Sequence, residues 1–133
     1  MIGFSAVLPF TESSIYNTII NDVNGYEIKF SASNLIKLLG VDPKKTLYLA
    51  DLGINKDYRN KGFGTELLSC QFRILQESVT VLIRTSKANL AAQEFYRIKF
   101  GFQDLNLTQN VYQPRLDGTI QSDKRVIMTK VIL

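Results

Sequence analysis

The chain has 133 residues, about 0.9 of an average domain, so one folding unit is expected rather than two. With 45% hydrophobic residues against 8 Gly and 3 Pro, it can fill a core and is not a disordered chain. Sixteen Lys and Arg against twelve Asp and Glu leave a net charge of +4, which suits acidic small molecules as well as nucleic acid, while the lack of any His excludes imidazole chemistry altogether.

Residues 2–8 form an apolar run ended by Pro9, which reads as a strand. Residues 11–23 carry Ile15, Ile19, Ile20 and Val23 at helical spacing after Thr11, Ser13 and Ser14, and a helix is expected there. Asn24-Gly25 is a turn signal, residues 26–30 alternate as a strand would, and residues 31–39 predict a short helix capped by Gly40. Asp42-Pro43 reads as a turn. Residues 47–54 form a strand-like apolar run, and residues 64–76 place Leu67, Leu68, Phe72 and Leu75 on one helical face. A β-branched strand over residues 79–85 follows, then a helix over residues 89–99 with Ala91, Ala92, Phe95 and Tyr96 at helical spacing. Residues 100–107 and 126–133 read as closing strands around a polar stretch near Pro114 and Asp117-Gly118. The class is α/β or α+β, built around one mixed sheet.

The lone cysteine, Cys70, can form neither an internal disulfide nor a thiolate metal cluster, which fits a reducing setting. No stretch approaches the roughly 18 apolar residues of a membrane span, and the apolar start carries no basic flank. A cytoplasmic protein without membrane partners is expected.

The stretch most informative for function is Asp57-Tyr58-Arg59-Asn60-Lys61-Gly62-Phe63-Gly64-Thr65, set between a predicted strand and a predicted helix. A helix N-terminus presents unpaired backbone N–H groups and the positive end of the macrodipole, so a loop entering it cradles anions. Gly62 and Gly64 permit close backbone approach, and Arg59 and Lys61 add charge. A Walker loop does not fit the spacing, and the dinucleotide fingerprint would need glycine where Leu67 stands. A phosphate-bearing ligand is expected in place of a merely solvated basic turn.

The spacing Arg59-x-x-Gly62-x-Gly64 resembles the acetyl-CoA-binding motif of the GCN5-related N-acetyltransferase (GNAT) superfamily. A second segment, Asn89-Leu90-x-Ala92-x-x-Phe95-Tyr96-x-x-x-Phe100-Gly101-Phe102, is similar to that family's next signature. The resemblance implies a mostly antiparallel central sheet with flanking helices and a splay between its two central strands, here residues 47–54 and 79–85. It implies that backbone amides of Arg59, Asn60, Lys61, Gly62, Phe63, Gly64 and Thr65 hold the coenzyme's pyrophosphate. It further implies that Leu52, Gly53 and Ile54 border the pantetheine arm and the acetyl carbonyl, with Asn89 touching the pantetheine. Tyr96 is the implied general acid and Asp51 the closest match to a general base.

Those residue types suit the chemistry, since transfer to an amine needs a neutral nitrogen, a stabilised carbonyl oxygen and a proton for the departing thiolate. A phenol, with a reference pKa of about 10, can protonate a thiolate whose parent acid lies near 8.5, and neither His nor metal is required. The expected activity is acetyl transfer from acetyl-CoA to a primary amine, of a small molecule or a protein, by direct attack in a ternary complex.

The resemblance is close over residues 47–102 and departs from the family pattern at Lys56, Asn60 and Gly53. Residues 2–8 resemble the family's third strand, so residues 1–133 are expected to form a single acetyltransferase-like domain with an atypical, shortened N-terminal section. Residues 11–45 are expected to fold back over the sheet as substitute helices, and an open strand edge leaves room for a homodimer. Two other readings start from the same residues. One is a catalytically silent coenzyme-binding sensor or interaction module. The other is RNA binding, because Lys61-Gly62-Phe63-Gly64 matches the start of an RNA-recognition signature, yet Thr65-Glu66-Leu67-Leu68 opens a helix where that signature needs a strand, so no nucleic-acid partner is expected.

Overall fold

The apolar run beginning at Val79 lies at the centre of the sheet because both of its faces are covered: Thr80, Val81, Leu82 and Ile83 are all buried. The computed structural model describes residues 3–54, 62–75 and 79–132. In chain order the elements are β1 (Gly3–Pro9), β2 (Ile19–Asn21), β3 (Glu27–Lys29), α1 (Ala32–Leu39), β4 (Thr46–Ile54), α2 (Phe63–Arg73), β5 (Thr80–Ser86), α3 (Leu90–Glu94), β6 (Gln103–Pro114) and β7 (Ile120–Val131). Among the described residues, seven strands form one sheet in the order β1-β4-β5-β7-β6-β2-β3. Only β4 and β5 pair in parallel; every other pairing is antiparallel.

Alternation along the central strands divides the core between two faces. Leu49, Val81, Ile83, Val126 and Met128 point toward Leu68 of α2 and Phe102, with Leu52, Phe72, Leu75, Phe95 and Tyr96 packed around them. Tyr48, Leu82, Leu107 and Ile127 point the other way and meet Phe10, Ile15, Ile20, Phe30 and Leu35. That second face is covered by chain from residues 10–39, which folds back onto the sheet, though not as the helices expected.

Residues 11–23 do not form a helix. A 3-10 turn at Phe10–Glu12 is followed by turns and by strand β2, with Asn17 in the left-handed region at φ 59°. The apolar spacing misleads because Ile15 and Ile20 are buried while Ile19 and Val23 are exposed, so the residues share no helical face. Backbone pairing decides the matter: Asn17 N–H donates to Phe30 O at 2.9 Å and Phe30 N–H to Thr18 O at 2.8 Å, and the β-branched Thr18-Ile19-Ile20 suits a strand. One helix of this section does form. In α1, Ser31 Oγ accepts from Asn34 N–H at the N-cap, and Gly40 closes the helix with φ 66°.

The closing strands are longer than their apolar residues suggest. β6 and β7 pair from Gln103↔Thr129 out to Pro114↔Ile120, so the turn is confined to residues 115–119. Beyond Ser86↔Arg125 this ribbon leaves the sheet, and its mostly exposed residues carry no apolar alternation from which a strand could be read. The turn is held by the Asp117 carboxylate, which accepts from both the hydroxyl and the N–H of Thr119; these bonds lower its pKa.

The hairpin arrangement predicts unequal effects for residues that a helix would have made equivalent. Ile20→Ala should cost about 2–4 kcal/mol in urea-induced unfolding, while Val23→Ala should stay within about 0.5 kcal/mol of the parent protein.

Candidate active site

The site begins where β4 and β5 part. Their ladder holds three pairs, Thr46↔Thr80, Leu47↔Val81 and Tyr48↔Leu82, although β4 continues to Ile54 and β5 to Ser86. Beyond Tyr48 each strand keeps its outer partner: β4 stays paired to β1 through Gly3↔Ile54, and β5 to β7 through Ser86↔Arg125. Between Ala6↔Asp51 and Val7↔Leu49 the β1–β4 register shifts by one residue, leaving Ala50 as a bulge that bends β4 just after the last β5 pair. The result is a cleft open between two parallel strands, with α2 and the turn after α3 packed on one face of the sheet.

The backbones of Asp51, Leu52, Gly53 and Ile54 form the cleft's β4 wall, and the Leu52 side chain packs on the α2-side core. The side chains of Asp51 and Ile54, and all of Arg59, Asn60 and Lys61, lie outside the described residues. Gly62 is the N-cap of α2 and adopts the left-handed conformation, φ 81° and ψ 3°, which glycine takes without steric cost. Its carbonyl accepts from Glu66 N–H at 3.1 Å, so Phe63, Gly64 and Thr65 form the first turn of the helix. Among the described residues, Thr65 Oγ1 is the buried side-chain oxygen that lacks a hydrogen-bond partner. Ser5 Oγ of β1 donates to Gln71 Oε1 of α2 at 2.9 Å, which ties this helix to the β4 side of the cleft.

On the β5 side, Asn89 caps α3: its Oδ1 accepts from Ala92 N–H at 3.0 Å, leaving its amide group toward solvent. Buried Gln93 anchors the helix to the end of β5, donating from Nε2 to Ser86 O at 3.1 Å and Lys87 O at 2.8 Å. After Glu94 the helix widens into a π-helical turn, Phe95–Lys99, a local irregularity found disproportionately at functional positions. Tyr96 lies in it, half-buried, with its ring edge-on to Phe95 at 5.2 Å and to Phe102 at 5.5 Å. Tyr96 and Leu52 therefore pack on one core cluster, from opposite sides of the cleft.

A group that the sequence reading did not single out lies on the opposite face. Arg84 Nε donates to Tyr48 Oη at 2.8 Å, bridging β4 and β5 where their ladder ends. The available signal was a charged residue inside a strand otherwise apolar on both faces.

The comparisons with known proteins agree with this geometry. A profile of the acetyltransferase (GNAT) family matches residues 24–102, more than half of the chain. The ribosomal-protein-S18-alanine N-acetyltransferase from Escherichia coli is 26% identical, with a TM-score of 0.54, over 66% of this chain and 55% of that one. Arabidopsis thaliana NAA60, solved in complex with acetyl-CoA, is 17% identical with a TM-score of 0.57, covering 99% of this chain and 66% of that one. A third structure, of an acetyltransferase, is 15% identical at a TM-score of 0.55. The chain thus spans 55% to 66% of the length of these structures. With its parted parallel strands, glycine-capped helix and family-matching segment, the chain belongs to the GNAT acetyltransferase family.

Proposed function

We propose that this protein transfers an acetyl group from acetyl-CoA to a primary amine by direct attack in a ternary complex. The observation that carries the reading is the early end of the β4–β5 ladder, since two parallel strands that part within a sheet leave room for an extended ligand between them. Two further features suit that ligand: the left-handed Gly62 entering α2 and the orphaned Thr65 Oγ1 beside it, a free hydroxyl at a helix N-terminus where a phosphate oxygen would be held.

In this reading the N–H groups of Gly62, Phe63, Gly64 and Thr65, assisted by Arg59, Asn60 and Lys61, hold the diphosphate. Asn89 orients the pantetheine arm, and the β4 backbone at Leu52, Gly53 and Ile54 polarises the acetyl carbonyl. When bound, acetyl-CoA supplies the acyl group as a thioester, already activated toward an amine. Asp51 takes the proton from the attacking amine, directly or through water, and the Tyr96 hydroxyl gives one to the departing sulfur.

Isothermal titration with coenzyme A tests the first part. Gly62→Asp puts a carboxylate at the positive end of α2 and should raise the Kd about tenfold or more, with an unchanged circular dichroism spectrum. Absence of binding to the parent protein at millimolar coenzyme A would overturn the reading. Tyr96→Phe should lower kcat on the order of 10²-fold and leave coenzyme A affinity nearly unchanged. Asp51→Asn should remove the acidic limb of the pH–rate profile; an unmoved limb would assign the amine proton to another group.

A further inference from the structure

At the apex of the cleft, on the sheet face opposite α2, a guanidinium stands among neutral partners. Arg84 follows Ile83 on β5 and so points to the face of Leu82, the one covered by residues 10–39. Its Nε donates to Tyr48 Oη at 2.8 Å, one terminal nitrogen to Gln109 Oε1 at 2.6 Å, and the other to Ser14 Oγ at 3.0 Å. The guanidinium carbon also lies 5.6 Å from the centre of the Tyr48 ring. Its partners are themselves held. Tyr48 and Gln109 are buried, and Gln109 Nε2 donates to Thr18 Oγ1 at 2.8 Å and Ile19 O at 3.2 Å.

Among the described residues, this arrangement fixes the guanidinium without neutralising it. Among the described residues the ion pair formed is Arg125–Asp123, on the β7 strand, and no carboxylate reaches Arg84. Arginines drawn out of water are ordinarily paired with an anion, because three neutral acceptors replace part of the lost hydration but none of the charge compensation. Described residues use three of its five N–H donors, which leaves two among them for a visiting oxyanion. The Ser14 end of the group is open to solvent, so such an anion has a way in. The planar fork suits a carboxylate, and it is pre-oriented.

We infer that Arg84 is a specificity residue: it anchors a carboxylate of the acceptor, so that the substrates are acidic amines. The inference rests on the transfer reading above for the acceptor's role, and on Arg84's own surroundings for the anion. Phosphate-binding residues lie at the α2 side of the cleft, whereas Arg84 opens on the other face, from which an amine can approach without displacing the coenzyme. Two sources offer this chemistry: a small amino acid, and a peptide with an acidic residue beside its N-terminus.

The test pairs each acid with its amide. Thiol release from acetyl-CoA is measured with β-alanine against β-alaninamide, and with C-terminally amidated tetrapeptides bearing Asp against Asn at the second position. The arm that shows the preference identifies the source. In the parent protein the acid member should have a kcat/KM about tenfold or more above its amide, and the ratio should fall as ionic strength rises. R84Q should bring the ratio to near one, with R84K between, while the Kd for coenzyme A stays unchanged. A ratio at or below one in both arms of the parent protein, or a ratio that R84Q leaves intact, overturns the inference. Titration of the acids and amides into the coenzyme-loaded protein separates this from the transfer reading. Arg84-dependent acid binding without turnover would sustain the carboxylate site and sink the transfer reading; turnover without acid preference would do the reverse.

Discussion

The three-pair parallel ladder between β4 and β5 is the constraint on which the rest of this protein depends. It is the seam between two otherwise antiparallel units, β1 with β4 on one side and β5, β7 and β6 on the other. Each unit is held by its own antiparallel ladder, so the strands can diverge after Tyr48 and Leu82 without unravelling the sheet. The Ala50 bulge makes that divergence persistent, because an extra residue on one strand increases local bend and twist.

A seam so short needs support from both faces. On one, Leu68 and Phe72 of α2 share a core with Phe95, Tyr96, Phe100 and Phe102: Phe72 and Phe95 both meet Phe100 edge-on, Tyr96 meets Phe102 edge-on and Phe72 lies tilted against Phe102, which ties the two helices together. On the other, Phe10, Ile15, Phe30 and Leu35 close over Tyr48 and Leu82, the last paired residues. The same burial that joins the halves thereby sets the width of the opening between them. Arg84 adds a polar tie at that point, and its bonds to Tyr48, Gln109 and Ser14 join β4, β6 and the N-terminal turns to β5.

Chemistry and packing are also coupled at the helices. Gly62 begins α2 in the left-handed conformation, which is unfavourable to other residues. Gln93 fastens α3 to the end of β5, and the π-helical turn that follows resets the phase of the helix, so Tyr96 and Phe95 face the core together. Three local departures from regular structure, the Ala50 bulge, the left-handed Gly62 and the π-helical turn, fall in the segments assigned to the proposed ligand.

Much of this was legible in the chain itself. The β-branched run at Val79, the capped helix from Ser31 to Gly40, the glycines after Arg59 and the Asn89 to Phe102 segment carry their structure locally, through propensity, capping and spacing, and together they identify the family. Other features depend on contacts between distant residues. Ile15 and Ile20 mimic a helical stripe, and only the pairing of Asn17 and Thr18 with Phe30 made that stretch a hairpin. The β6–β7 ribbon runs past the sheet with polar residues on both faces, so no periodicity announces it. Arg84 itself bonds to residues up to 70 positions away in the chain, and a strand's alternation says which face a residue takes but not what waits there. Tertiary structure alone decided that this arginine would meet Tyr48, Gln109 and Ser14, because partner choice follows from how the two halves of the sheet are brought together.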